Sequence, residues 1–192
     1  MRVGVIADTH GVLHPAVPHV FRGVAHIVHA GDVGSVELLD ALARLAPVTA
    51  IRGNADPRAL AALPARRHVV LAGVSIVVVH EGLARGRPTP ELATALRRHR
   101  PAVAVFGHSH VPLVARREGV LFLNPGGGGR RRFRLPRSVA ILTLDERGPR
   151  ARIAVLDDRR RALRRGRSSA RRGAPRRARG RDAPRGRGRR RA

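Results

Sequence analysis

Seven side chains in this 192-residue chain can donate oxygen or nitrogen to a metal ion and share one kind of position. Asp8 and His10 follow the apolar run Val3 to Ala7, and Asp32 follows Ala25 to His29 through Ala30 and Gly31. Asn54 follows Val48 to Ile51, His80 ends Val74 to Val79, and His108 and His110 follow Val103 to Phe106. The carboxyl ends of parallel strands in an open α/β sheet converge on one crevice. All seven donors are therefore expected to meet there. One divalent ion takes about four protein ligands, or three and a water, whereas seven ligands with a shared carboxylate suit two ions ~3.5–4 Å apart. The chain has no cysteine, which removes thiolate sites, disulfides and a cysteine nucleophile. Carboxylate, imidazole and amide oxygen suit Mn, Fe, Ni or Zn, and two divalent ions, Mn foremost, are expected. No serine sits on a G-x-S-x-G turn, so a serine hydrolase is disfavoured.

The elements that must position these residues can be read from the same runs. Each early run is short, apolar and rich in β-branched residues, the pattern of a strand buried on both faces. Between them, Ser35 can cap a helix with Val36, Leu39, Leu42 and Ala43 as its apolar face and Glu37 in its first turn. Strand, helix and strand in units of this length imply crossovers and a parallel sheet. Val69 to Ala72 and Val74 to Val79 meet at Gly73 as a hairpin, and Pro90-Glu91 opens a helix through Arg98. Further strands are expected at 113–116, 120–123, 139–144 and 152–156, which makes the second half mostly antiparallel. The fold class is α/β: two facing mixed sheets flanked by helices, in four layers, over residues 1–158.

Asp8-Thr9-His10, Gly31-Asp32, Gly53-Asn54-Ala55-Asp56, His80, Gly107-His108-Ser109-His110 and Asn124-Pro125-Gly126 occur in this order along the chain. Together they resemble the calcineurin-like metallophosphoesterase superfamily, in particular its small bacterial and archaeal phosphodiesterase branch, which also includes the retromer scaffold subunit. That resemblance implies one metal on Asp8, His10 and His110, a second on Asn54, His80 and His108, and Asp32 bridging. It implies a dinuclear phosphodiesterase in which a hydroxide between the ions attacks phosphorus, acting on a phosphate-ester substrate. A non-catalytic metal-binding scaffold of the same fold and an RNA-associated nuclease are the competing readings. On an extended loop, His108 and His110 would both face the crevice while Ser109 faces away.

Three features depart from the family pattern. Larger members carry a leaving-group-protonating histidine after the metal-binding asparagine, where this chain has Ala55. His80 is followed by Glu81-Gly82 in place of the Gly-His of related small enzymes. Gly126 to Gly129 runs into Arg130, Arg131 and Arg132, either a flexible phosphate-holding loop or a solvated one. Asp56 either caps a helix starting at Pro57, the favoured reading, or orients Asn54 and a substrate proton. His29 is expected to be a packed or hydrogen-bonded core histidine, and His14, His19, His26, His68 and His99 surface residues.

Charge divides unevenly along the chain. Its net +26 comes from 39 arginines, with no lysine, against 13 acids. Residues 159–192 hold 17 arginines and one acid, a net +16, which leaves +10 for residues 1–158. With a single leucine, that last segment is expected to be a disordered basic tail. It offers guanidinium groups to nucleic-acid phosphates, although an arginine-only chain also suggests a coding bias. Four phenylalanines and no Tyr or Trp argue against a base-stacking nucleic-acid platform. The longest apolar run, Val69 to Val79, is about half of a membrane-spanning helix. No membrane partner and a cytoplasmic location are expected.

Overall fold

The computed structural model describes residues 1–132 and 134–156, and the predicted basic tail lies outside them. Strands β1 (Arg2–Ile6), β2 (His26–Ala30) and β3 (Val48–Ile51) run parallel. The helices α1 (Val17–Val20) and α2 (Val36–Ala43) connect them. In the second half come β4 (Arg66–Leu71), β5 (Val74–Val79), β6 (Leu83–Ala84), β7 (Arg87–Pro88), α3 (Pro90–His99) and β8 (Val103–Val105). The described chain closes with β9 (Leu113–Arg117), β10 (Val120–Asn124), β11 (Ser138–Thr143) and β12 (Arg150–Val155). One five-stranded sheet has the order β12-β11-β1-β2-β3 and the other β4-β5-β8-β10-β9, with β6-β7 as a small separate ribbon.

The apolar runs are continuous because each strand feeds two cores. Val3 and Val5 of β1, Val28 of β2 and Leu142 of β11 meet Ile76 and Val78 of β5, Val105 of β8 and Leu123 of β10 between the sheets. The alternate residues Ile27 and Ile141 face outward onto Val17, Phe21, Leu38 and Leu42. On the far side, Val77, Val79, Ala104 and Phe122 face Leu92 and Ala95 of α3. With period-2 alternation, the central strands β1, β5, β8 and β11 are thus buried on both faces along most of their length. The result is the expected four-layer α/β arrangement of two mixed sheets.

The structure differs from the sequence reading in several details. Parallel pairing persists in the second half, where β5, β8 and β10 run together, because α3 and the β9–β10 hairpin return the chain in the same direction. The buried stripe of α2 is Leu38 and Leu42, an i,i+4 pair, while Val36 is exposed. Ser35 does cap α2, its Oγ accepting from the Leu38 amide at 3.3 Å. The turns Ala72-Gly73, Arg85-Gly86 and Glu118-Gly119 each hold two left-handed residues, the geometry of tight hairpins. No helix among the described residues is long and apolar enough to cross a membrane.

Candidate metal centre

The loops after β1, β2, β3, β5 and β8 all open at one edge of the two sheets. Backbone pairing continues beyond the strands and fixes them: the Asp8 amide donates to the Gly31 carbonyl at 3.0 Å and the His10 amide to that of Asp32 at 2.9 Å. The Gly107 amide donates to the His80 carbonyl at 3.0 Å, which ties together the loops of the second sheet. Asp8, His10, Asp32, His108 and His110 have φ of 54°, 48°, 53°, 67° and 57°. Left-handed backbone is costly for non-glycine residues and collects where function demands it. The extended conformation expected for His108 to His110 is therefore corrected. The Ser109 amide closes a tight turn on the Gly107 carbonyl at 2.9 Å, and left-handed residues turn both imidazoles inward.

The seven sequence-derived donors gather at one place, five of them in two groups that share Asp8. Ligand atoms of Asp8, His10 and His110 lie within 4.8 Å of one another, as do those of Asp8, Asp32 and His80. His110 Nε2 is 3.9 Å from Asp8 Oδ1 and 3.5 Å from His10 Nε2. Asn54 Oδ1 lies 3.0 Å from His80 Nε2 and 3.1 Å from His108 Nδ1. Asp32, a member of the second group, also approaches the first, with Oδ2 3.8 Å from His10 Nε2 and Oδ1 3.4 Å from His80 Nε2. Asp8, Asp32, His80 and His110 are buried, whereas Asn54 and His108 are exposed, so the cluster is a bowl with a closed floor.

The electrostatics of the floor call for cations. Burial pushes the Asp8 carboxyl up to about 7, against the pull of His80. Asp8 Oδ2 is buried and has no hydrogen-bond partner among the described residues. A bare buried carboxylate oxygen is costly unless a cation meets it, and on that ground these residues fit divalent metal. Burial also opposes ionisation of Asp32, yet hydrogen bonds from His80 and the Ala55 amide hold its carboxyl down to about 2. Burial, then His10 and the Arg132 guanidinium, lower His110 to about 4, and burial followed by Arg132 lowers His10. Neutral imidazole is the form that ligates metal. His80 differs: burial opposes its charge, but hydrogen bonds to Asp32 and the Ala30 carbonyl raise it above the ordinary histidine value, so a cation would have to displace its Nε2 proton, while Nδ1 donates to the Ala30 carbonyl at 2.8 Å and orients Nε2 toward the bowl.

A second ring of residues braces the donors. Asp56 does not cap a helix: residues 58–60 form a 3-10 turn without a side-chain cap. Its Oδ1 accepts from the Gly34 amide and its Oδ2 from the Gly53 amide, both at 2.7 Å, so it cross-links the loops that carry Asp32 and Asn54. Gly53 must be glycine, because a Cβ there would lie 2.1 Å from Asp32 Oδ1. His29 is fully buried, as expected, and burial lowers it to about 3. The Thr9 hydroxyl donates to the Val33 carbonyl and accepts from His29 Nε2, both at 2.8 Å, which pins the Asp8–His10 loop to β2. Asn124 donates to the Gly107 carbonyl at 2.9 Å and to Ser109 Oγ at 3.1 Å, holding the turn of His108.

Other expectations about this region change. Gly126 to Gly129 is not a flexible loop; it is buried, with the Gly128 amide on the Ala7 carbonyl and the Gly127 carbonyl on the Ser138 amide. Arg130, Arg131 and Arg132 beyond it are exposed. Glu81 lies at the mouth, with Oε1 4.0 Å from His108 Nδ1. Of the histidines expected at the surface, His26 is instead half-buried against Thr49 Oγ1 at 2.9 Å, whereas His68 is exposed as expected and stacks on His99 with ring centroids 4.2 Å apart. Sequence reasoning did not find the bracing role of Thr9 or Asn124. Their only signal was a place inside the Asp-Thr-His and Asn-Pro-Gly motifs.

Comparison with known proteins identifies the family. The family model described as the calcineurin-like phosphoesterase superfamily domain matches residues 1–147. A "probable metallophosphoesterase" of Methanothermobacter thermautotrophicus is 32% identical over 150 residues, covering 76% of this chain and 87% of the relative. Another from Methanocaldococcus jannaschii is 34% identical over 132 residues, covering 66% and 67%. Among solved structures, Vps29 complexed with Zn²⁺ from Entamoeba histolytica matches with TM-score 0.64 at 19% identity, over 82% of this chain and 100% of that one. A structure described as a novel archaeal phosphodiesterase matches with TM-score 0.62 at 20% identity, over 80% and 100%. At these identities the structural matches show the fold. With residues 1–147 matched by the family model and a relative 32% identical along most of its length, the chain belongs to the calcineurin-like phosphoesterase superfamily.

Proposed function

We propose that the chain hydrolyses phosphodiesters with two divalent cations, Mn²⁺ foremost. Asp8, His10 and His110 hold one cation, Asn54, His80 and His108 hold the other, and Asp32 is shared. The observation that carries this reading is the stance of Asp32, whose two oxygens face different donor groups, Oδ2 toward His10 and Oδ1 toward His80. The superfamily membership and the fold shared with the archaeal phosphodiesterase support it.

Cations bound there would supply Lewis acidity toward phosphoryl oxygens and an activated water at neutral pH. The chain's own residues orient and select. Buried Asp8, Asp32, His80 and His110 form the floor, while exposed Asn54 and His108 stand where a substrate enters. Arg132 adds positive charge whose field reaches Asp8, His10 and His110, which favours an anionic ester over that side of the bowl. The Ala55 side chain has no proton to give a leaving group, and its backbone amide donates to Asp32 Oδ1 at 2.8 Å. The leaving oxygen then takes its proton from solvent, so diesters with good leaving groups are preferred over alkyl monoesters.

In the presence of Mn²⁺, Asp32→Asn is expected to lower turnover of bis(p-nitrophenyl) phosphate by roughly 10²-fold or more. Full activity in that variant, with an unchanged circular-dichroism spectrum, contradicts the shared role of Asp32. A metal-binding scaffold without turnover is the second reading, favoured by the missing histidine at Ala55 and by the fold shared with Zn²⁺-bound Vps29. Metal uptake with no hydrolysis of any diester would decide for it.

A further inference from the structure

A second concavity lies on the helix-covered side of the second sheet, between the C-terminal half of α3, the β6–β7 hairpin and the β9–β10 turn. Its volume is about 710 Å³, and none of the seven candidate metal donors lines it. That size falls within the ~300–1,000 Å³ of small-molecule sites. The lining combines two unlike parts. Leu96 and Phe122 give it an apolar floor, while Arg87, Arg97, Arg100 and Arg117 surround that floor with Glu118 as the one acid.

All four guanidinium groups are exposed, and none has a carboxylate partner among the described residues. Arg117 is already fixed. Its Nη1 donates to the Gly86 carbonyl at 2.6 Å, and its guanidinium carbon sits 5.6 Å from the Phe122 ring centroid. A planar cation held over an aromatic ring presents its outer face for stacking. Among the described residues, the Arg97 side chain donates to Thr94 Oγ1 at 3.3 Å. Four cations with no carboxylate partner among the described residues stand around one floor and repel one another, and an anion among them relieves that repulsion.

A bare inorganic anion would leave the apolar floor unused, and an uncharged apolar ligand would leave the four arginines unpaired. We propose that this cavity binds a nucleoside diphosphate, with the base stacked on the Arg117 guanidinium above Phe122 and the phosphates paired with Arg87, Arg97 and Arg100. Arginine forks suit phosphate bidentately, so several weak exposed pairs act together on one ligand. This site is independent of the phosphodiesterase reading.

The test is calorimetric titration of the full-length, metal-loaded chain with ADP, pyrophosphate and adenosine, comparing wild type with Arg97→Ala/Arg100→Ala and with Arg117→Lys. ADP is expected to bind at least about tenfold more tightly than either fragment, and the double variant to lose at least about tenfold in ADP affinity. Arg117→Lys keeps the charge but loses the planar face, so it should weaken ADP and spare pyrophosphate. Turnover of a diester at the metal centre should be unchanged in all variants, which separates this site from that one. Unaltered ADP affinity in the double variant, or pyrophosphate binding as tightly as ADP in wild type, overturns the proposal.

Discussion

At the scale of single residues, the side chains that hold the donors in place matter as much as the donors. Asp56 accepts two backbone amides at 2.7 Å, one from the loop of Asp32 and one from the loop of Asn54. Asp56→Ala should raise the Mn²⁺ concentration needed for half-maximal activity by about tenfold, in the range usual for residues that orient metal ligands. A metal titration of activity reads this directly, and an unchanged midpoint would show that the two loops hold themselves. The donors were legible in the sequence because Asp8, Asp32, His80 and His108 each break an apolar run. Asp56 was not, because a short acid before Pro57 has the form of a helix cap, and only the fold shows that its carboxylate turns back to Gly34 and Gly53. Nor were the left-handed backbones of five donors legible, since any residue type can be forced there by its surroundings.

At the scale of elements, the strands were legible and the short connections were not. Apolar runs split cleanly between an inter-sheet core and two helix-covered faces, so β1, β2, β5, β8 and β11 follow from composition alone. The four residues of α1 and the two-residue strands β6 and β7 are too short to show a period. Element ends also reach the site. Thr89 caps α3, its Oγ1 accepting from the Leu92 amide at 3.3 Å, and donates to the Glu81 carbonyl at 2.6 Å, beside His80. Thr89→Ala is expected to cost about 1 kcal/mol as a lost cap, a fall of ~2–4 °C in a domain of this size. A melting curve checks it, and no shift would mean that Pro90 and Glu91 suffice to start the helix.

At the scale of the whole molecule, the net charge and the chemistry sit on different parts of the chain. The metal-centre candidates are acids and histidines collected by two sheets, while the net +26 is carried by arginines spread elsewhere, among them the four that line the second cavity. Composition pointed toward a polyanion binder, yet the arrangement of a few residues at strand ends decides the chemistry. The proposed metal centre rests on a buried Asp8 oxygen with no hydrogen-bond partner among the described residues and on an Asp32 that faces both His10 and His80. The metal content of the purified full-length chain, measured by elemental analysis alongside diester turnover, tests that most directly. Roughly two equivalents per chain, falling in Asp32→Asn together with activity, is the predicted result. Fewer than one equivalent in an active wild-type chain would contradict it.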